Sequence, residues 1–119
     1  MSAETKFLTL GQVIALHKLQ IDEFGGLPGV KDEGLLASAL GQPDSGFGGE
    51  HFHKDLYEMA AAYLFHLVKN HAFYDGNKRI AALAAAVFLQ VNGLVVVANE
   101  DEFEKLVLTP LKVWRSKNK

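Results

Sequence analysis

Two apolar series at helical spacing, joined by a short and strongly polar connection, limit what this chain can fold into. Leu56, Met59, Ala60, Tyr63, Leu64 and Leu67 form the first series, and Ile80, Leu83, Ala84, Val87, Phe88 and Val91 form the second. Residues recurring every three or four positions mark helices that bury one face. So brief a link makes the two helices neighbours in a helix hairpin. Ala60-Ala61-Ala62 and Ala84-Ala85-Ala86 add strong helix formers with little bulk, favouring closely packed helices over a sheet. The expected class is therefore all-α.

The connection itself carries chemistry. His71-Ala72-Phe73-Tyr74-Asp75-Gly76-Asn77-Lys78-Arg79 places a base, a carboxylate, an amide and two cations beside a glycine. With the second helix opening at Asn77, its free N–H groups and the positive end of its dipole make an anion site. Lys78 and Arg79 have the wrong sign for a first helical turn, so an anionic ligand explains them better than helix stability does. Arg79 can grip two phosphate oxygens at once, and Lys78 acts as a mobile point charge. Asp75 is a hard oxygen ligand suited to Mg²⁺, which commonly binds one or two carboxylates together with substrate phosphates. His71 can take a proton from an attacking hydroxyl near neutral pH. Taken singly, these residues could equally cap helices or sit solvated. Phe73 is expected to anchor the turn in the core.

His71 to Arg79 resembles the signature of the Fic/Doc superfamily, H-x-F-x-[DE]-[GA]-N followed by a short residue or Lys and then Arg. Lys78 matches the death-on-curing (Doc) branch; the AMP-transferring branch usually has Gly there. Ala72 departs from the Pro of many Fic proteins, giving up only a fixed φ. Gly25-Gly26-Leu27-Pro28-Gly29 is similar to a run that follows the first helix in Doc-like chains. The resemblance implies a Fic-fold domain in which His71 is the catalytic base and Asp75 holds Mg²⁺. Gly76, Asn77, Lys78 and Arg79 would bind the phosphates of ATP. It further implies γ-phosphate transfer to a Ser/Thr hydroxyl of a translation factor, elongation factor Tu, and restraint by a Phd-like antitoxin. A flap is expected between the early helices and the motif. Gln42, Pro43, Asp44, Ser45, Gly46 and Phe47 open a glycine-rich stretch that reads as a loop or short hairpin of that kind. AMP transfer and a catalytically silent binding module are the competing readings.

The remaining chain fits one domain of 119 residues, with the resemblance running over about residues 8 to 108. Thr9 and Gln12 form a capping box, with Leu8 and Val13 as its hydrophobic staple, so a helix should begin near Leu10 and stop at Gly25. His17 interrupts the apolar stripe of that helix; a half-buried core histidine without chemistry is the expectation. The run Gly25 to Gly29 lacks both the Lys-Ser/Thr ending and the preceding strand of a P-loop. Asp32 should cap a short helix through Leu40 that ends at Gly41. His51, His53, His66 and His71 show no metal-binding spacing. Asn99 and Glu102 signal a further helix, and residues 109 to 119 form an atypical basic tail around Trp114.

Composition excludes several classes. Without cysteine the chain has neither disulfides nor thiolate metal sites. A net charge of -2 gives no basic footprint for nucleic acid. No signal peptide or membrane span is evident, so a cytoplasmic location without membrane contact is the expectation.

Overall fold

The structure is a computed structural model that describes residues 4–94. Four helices account for most of it: α1 (Leu10–Phe24), α2 (Glu33–Gly41), α3 (Leu56–Asn70) and α4 (Asn77–Val91). Among the described residues the only sheet is a hairpin of two-residue strands, β1 (Gly46–Phe47) and β2 (Glu50–His51), paired antiparallel with Gly46 opposite His51. The all-α expectation therefore holds. The readings placed on residues 95–119, including the helix at Asn99 and the basic tail, lie outside the described residues.

α1, α2 and α3 each begin where a side chain takes up a free N–H. Thr9 Oγ accepts from Gln12 N at 3.1 Å, while Gln12 Oε1 accepts from Thr9 N at 2.8 Å, closing the capping box. Asp32 accepts from Leu35 N and Asp55 from Glu58 N in the same way. Gly25, at φ 86°, ends α1, its left-handed backbone favouring a residue without Cβ. The short second helix includes Gly41 and is capped by Gln42, one residue later than expected.

The core is the α3–α4 hairpin with α1 and α2 laid against it. Ala60, Ala61, Ala81, Ala84 and Ala85 are buried between the bulkier Tyr63, Leu67, Ile80, Phe88 and Leu89. Their small side chains let the helices approach while the large ones interdigitate. Tyr63 stacks obliquely on Phe88 at 5.0 Å, and its hydroxyl accepts from Leu8 N at 2.9 Å. Burial raises the Tyr63 phenol above its ordinary value, partly offset by that bond. Asn92, just past α4, accepts from Lys6 N and donates to Lys6 O, fixing the segment before α1. Asn92 thus ties the C-terminal end of α4 to the approach to α1, and at the other end Gln20 of α1 donates to the Arg79 carbonyl. This matters because the polar connection lies between α3 and α4, with α1 as its third wall.

Candidate active site

His71 ends α3 with left-handed backbone, φ 49° and ψ 52°. It is the sole non-glycine residue with positive φ among the described residues. Such strain persists only where the surroundings impose it. Here the imposing contacts follow at once. The Ala72 carbonyl accepts from Lys31 N at 2.8 Å and Asp32 N at 3.1 Å, and Val30 forms a β-bridge with Phe73. Phe73 is buried as expected and stacks on His17, ring centroids 3.8 Å apart.

Asn77 closes the turn from the other side. Its Oδ1 accepts from Phe73 N at 3.0 Å, and its Nδ2 donates to Phe73 O at 2.9 Å. Those two bonds fix which end of the amide is which. Nδ2 therefore also faces Nδ1 of His71, at 3.3 Å, and Lys31 Nζ lies 3.5 Å from the same nitrogen. Both approaches are at the long end for a hydrogen bond, so the lone pair of the neutral imidazole is still open to a proton. The side chain of Asn77 is spent on the turn and on His71, leaving its backbone N–H for an anion.

Gly76 precedes α4 at φ 72°, and no side chain caps this helix. By helix geometry the first N–H groups of α4 have no partner within it. Asp75 stands at their edge. Its Oδ2 accepts from Leu27 N at 3.1 Å and its Oδ1 from Gly76 N at 2.9 Å. These two backbone donors, Leu27 first, hold its carboxyl below the ordinary carboxylate range. An ionised carboxylate offers about four lone-pair positions, so about two remain.

A cavity of about 380 Å³ opens over this junction. His71, Asp75, Gly76, Asn77, Lys78 and Arg79 all line it, together with His17, Gln20 and Ile21 of α1. The guanidinium of Arg79 lies over the Phe24 ring, 4.4 Å from its centroid, at the end of α1. Among the described residues no group of three or more His, Asp or Glu side chains could enclose a metal. A single ionised carboxylate with free lone pairs fits Mg²⁺ held chiefly by phosphates and water.

The residues of the expected flap lie elsewhere. Gln42, Pro43, Asp44, Ser45, Gly46 and Phe47 do not line the cavity. Gly46 and Phe47 form the first strand of a hairpin, one of the two expected forms for this stretch. Ser45 Oγ donates to Gln42 O, and Asp44 Oδ1 pairs with His51 Nε2 at 2.6 Å. Phe47 is 84% exposed.

Three features escaped the sequence reading. His17 is fully buried rather than half-buried, 2% exposed, with Nε2 2.8 Å from the Asp75 carbonyl oxygen. The glycine run read as having no phosphate role borders the site through Leu27 N–H. At Gly26 a Cβ would stand 2.7 Å from Asp75 Oδ2. Lys31 is brought to His71 from 40 residues away. The one available signal was a histidine on an otherwise apolar stripe.

This chain, with the turn and the uncapped helix just described, belongs to the Fic/DOC family: residues 7–89 match that family's profile. Within it the likeness extends to Doc-type toxins. The chain is 39% identical over 85 residues to "Protein kinase doc" of Escherichia phage P1, covering 71% of this chain and 67% of that protein. It is 44% identical over 78 residues to "Toxin Doc" of Mycolicibacterium smegmatis, covering 66% of this chain and 60% of that one. Among the described residues no helix is long and apolar enough to cross a membrane.

Proposed function

We propose that this chain is a Doc-type toxin that transfers the γ-phosphate of ATP to a Ser/Thr hydroxyl of a translation factor. The observation that carries the reading is the joint placement of His71 and Asp75 beside the uncapped start of α4, with Lys78 and Arg79 lining the same cavity. The phage P1 relative is named a protein kinase, which supports the same reaction class. Elongation factor Tu as target rests on family resemblance.

Phosphoryl transfer asks a protein mainly to position groups and neutralise charge. The backbone N–H groups opening α4 would bind phosphate oxygens, and Arg79 and Lys78 would offset their charge. Asp75 would hold Mg²⁺, whose chemistry when bound is to neutralise the phosphates further. His71 would accept the hydroxyl proton as the hydroxyl oxygen bonds to the γ-phosphorus. The bond from that phosphorus to the β–γ bridging oxygen breaks, and ADP leaves. His17 is unsuited to the base role, being buried and committed to the Asp75 carbonyl.

The test is transfer from ATP labelled at the α or γ phosphate into a bacterial lysate with Mg²⁺, with His71→Ala alongside. Label from γ alone, lost in the variant, is the expected result. Label from α would make the protein an AMP transferase despite Lys78, and no label with the fold intact would make it a binding module. A Phd-like antitoxin should bind the active protein and suppress transfer. Failure of a co-encoded small protein to do either would remove that partner.

A further inference from the structure

The phosphoryl-transfer reading has no use for the one histidine buried within the site. His17 projects from the middle of α1, its ring stacked on Phe73 with an interplanar angle of 14°. Its Nε2 is 2.8 Å from the carbonyl oxygen of Asp75. A carbonyl can only accept, so this nitrogen carries the hydrogen and the neutral ring is the Nε2–H tautomer. The carbonyl belongs to the Asp75–Gly76 peptide unit, and the N–H of that same unit donates to Asp75 Oδ1 at 2.9 Å. Rotating the peptide would break both bonds.

The carboxylate is thereby tied to His17 through a rigid plane. Its other oxygen is held by Leu27 N, three residues beyond the end of α1. One helical turn after His17, Gln20 donates from Nε2 to the carbonyl of Arg79 at 3.1 Å, while its Oε1 is buried with no partner among the described residues. One face of α1 thus grips carbonyls on both sides of the start of α4. A Cβ at Gly76 would meet Nε2 at 3.6 Å, an ordinary contact, so it is the left-handed φ of 72° that favours glycine beside the imidazole.

We infer that His17 is a positioning residue, which by donating to the Asp75 carbonyl fixes the Asp75–Gly76 peptide and so aims the Asp75 carboxylate into the cavity. The consequence for nucleotide rests on the reading of Asp75 given above; the consequence for the peptide does not.

Two variants separate the donor from the ring. His17→Phe keeps the stack on Phe73 and removes the N–H, whereas His17→Gln keeps an N–H at similar reach and removes the ring. They differ in donor and in ring, so greater damage in His17→Phe assigns the effect to the donor, and greater damage in His17→Gln assigns it to the stack on Phe73 and overturns the inference. Amide hydrogen exchange, imidazole ¹⁵N spectra and ATP binding with Mg²⁺ or with EDTA would be measured on the full chain. The expected result is an Nε2–H tautomer in the unsubstituted protein. In His17→Phe the Gly76 and Leu27 amides should exchange at least tenfold faster, with Leu67 and Phe88 amides within twofold. Mg²⁺-dependent ATP binding should weaken tenfold or more in that variant, binding in EDTA should change less than twofold, and His17→Gln should restore both.

An Nδ1–H tautomer, or unchanged Gly76 exchange in His17→Phe, would overturn the inference. So would equal damage in the two variants. If the unsubstituted protein binds no ATP, the phosphoryl-transfer reading fails, and Gly76 exchange alone still decides the role of His17.

Discussion

Replacing His71 by glycine should remove transfer and yet leave a protein more stable than His71→Ala. The left-handed conformation at φ 49° and ψ 52° costs a residue bearing Cβ about 1–2 kcal/mol. Glycine escapes that cost but gives back about 0.5–1 kcal/mol through the greater freedom of its unfolded chain. The balance favours Gly over Ala at this position by about 0.5–1 kcal/mol, or ~2–5 °C in Tm for a chain of this size. Both substitutions lose the same side-chain contacts. Those are an Asn77 Nδ2 approach at 3.3 Å and a Lys31 Nζ approach at 3.5 Å, each at the long end for a hydrogen bond, and the histidine is exposed. Their loss therefore cancels in the comparison, leaving backbone strain. Urea and thermal unfolding of the two variants, with γ-labelled transfer measured in parallel, make the test. If His71→Ala proves as stable as His71→Gly or more so, the strain at this residue is not real. If either variant still transfers phosphate, His71 is not the base.

Asp75 should contribute stability that depends on pH. Because its folded value is depressed by the Leu27 and Gly76 N–H groups, the contribution is present above the ordinary aspartate value of about 3.9 and is lost as pH falls through the folded value. Asp75→Asn should flatten the fall in Tm below about pH 4, and an unchanged acid profile would contradict the assignment. Asn77→Ala would leave the buried N–H and C=O of Phe73 without partners, costing about 2–3 kcal/mol in urea unfolding. A loss under 0.5 kcal/mol would mean that water or another group satisfies them. Gly26→Ala should cost about 2 kcal/mol, since its Cβ would meet Asp75 Oδ2 at 2.7 Å and φ is +118°. Gly11→Ala, in the first turn of α1 with nothing within 4 Å, should instead stabilise by about 0.5 kcal/mol. Equal effects in these two glycine variants would show that the loop does not approach Asp75.

The sequence was legible wherever a side chain acts on backbone a few residues away. Thr9 with Gln12 and Asp32 with Leu35 are bonds across three positions, and each announced a helix start; Asp55 with Glu58 is a third bond of the same reach. Gly25 marked a stop for the same local reason. The α3–α4 hairpin followed from periodicity, because burying two apolar stripes joined by a short polar link leaves few arrangements. The residues from His71 to Arg79 could be singled out because adjacent unlike charges beside a glycine have a narrow set of uses.

What could not be read shares one property: a side chain or an N–H group reaches a partner from a distant part of the chain. His17 bonds to a carbonyl 58 residues away, Gln20 to one 59 away, and Asn92 reaches Lys6 across 86. Lys31 N and Asp32 N both meet the Ala72 carbonyl. A carbonyl oxygen is the same at Ala72, Asp75 and Arg79, so side-chain identity at the acceptor carries no mark of the bond. Only the donor can betray it, and a lone histidine on an apolar stripe is ambiguous between a packed core residue and a gripping one. The same reasoning explains Asn77, whose place in the motif suggested a ligand to phosphate while its amide also has the reach to bind Phe73 four positions back. In this site the chemistry-bearing groups are local in sequence, whereas the bonds that aim them are not. Variants at His17, Gly26 and Asn77 should therefore change the geometry of Asp75 and His71 without removing either group.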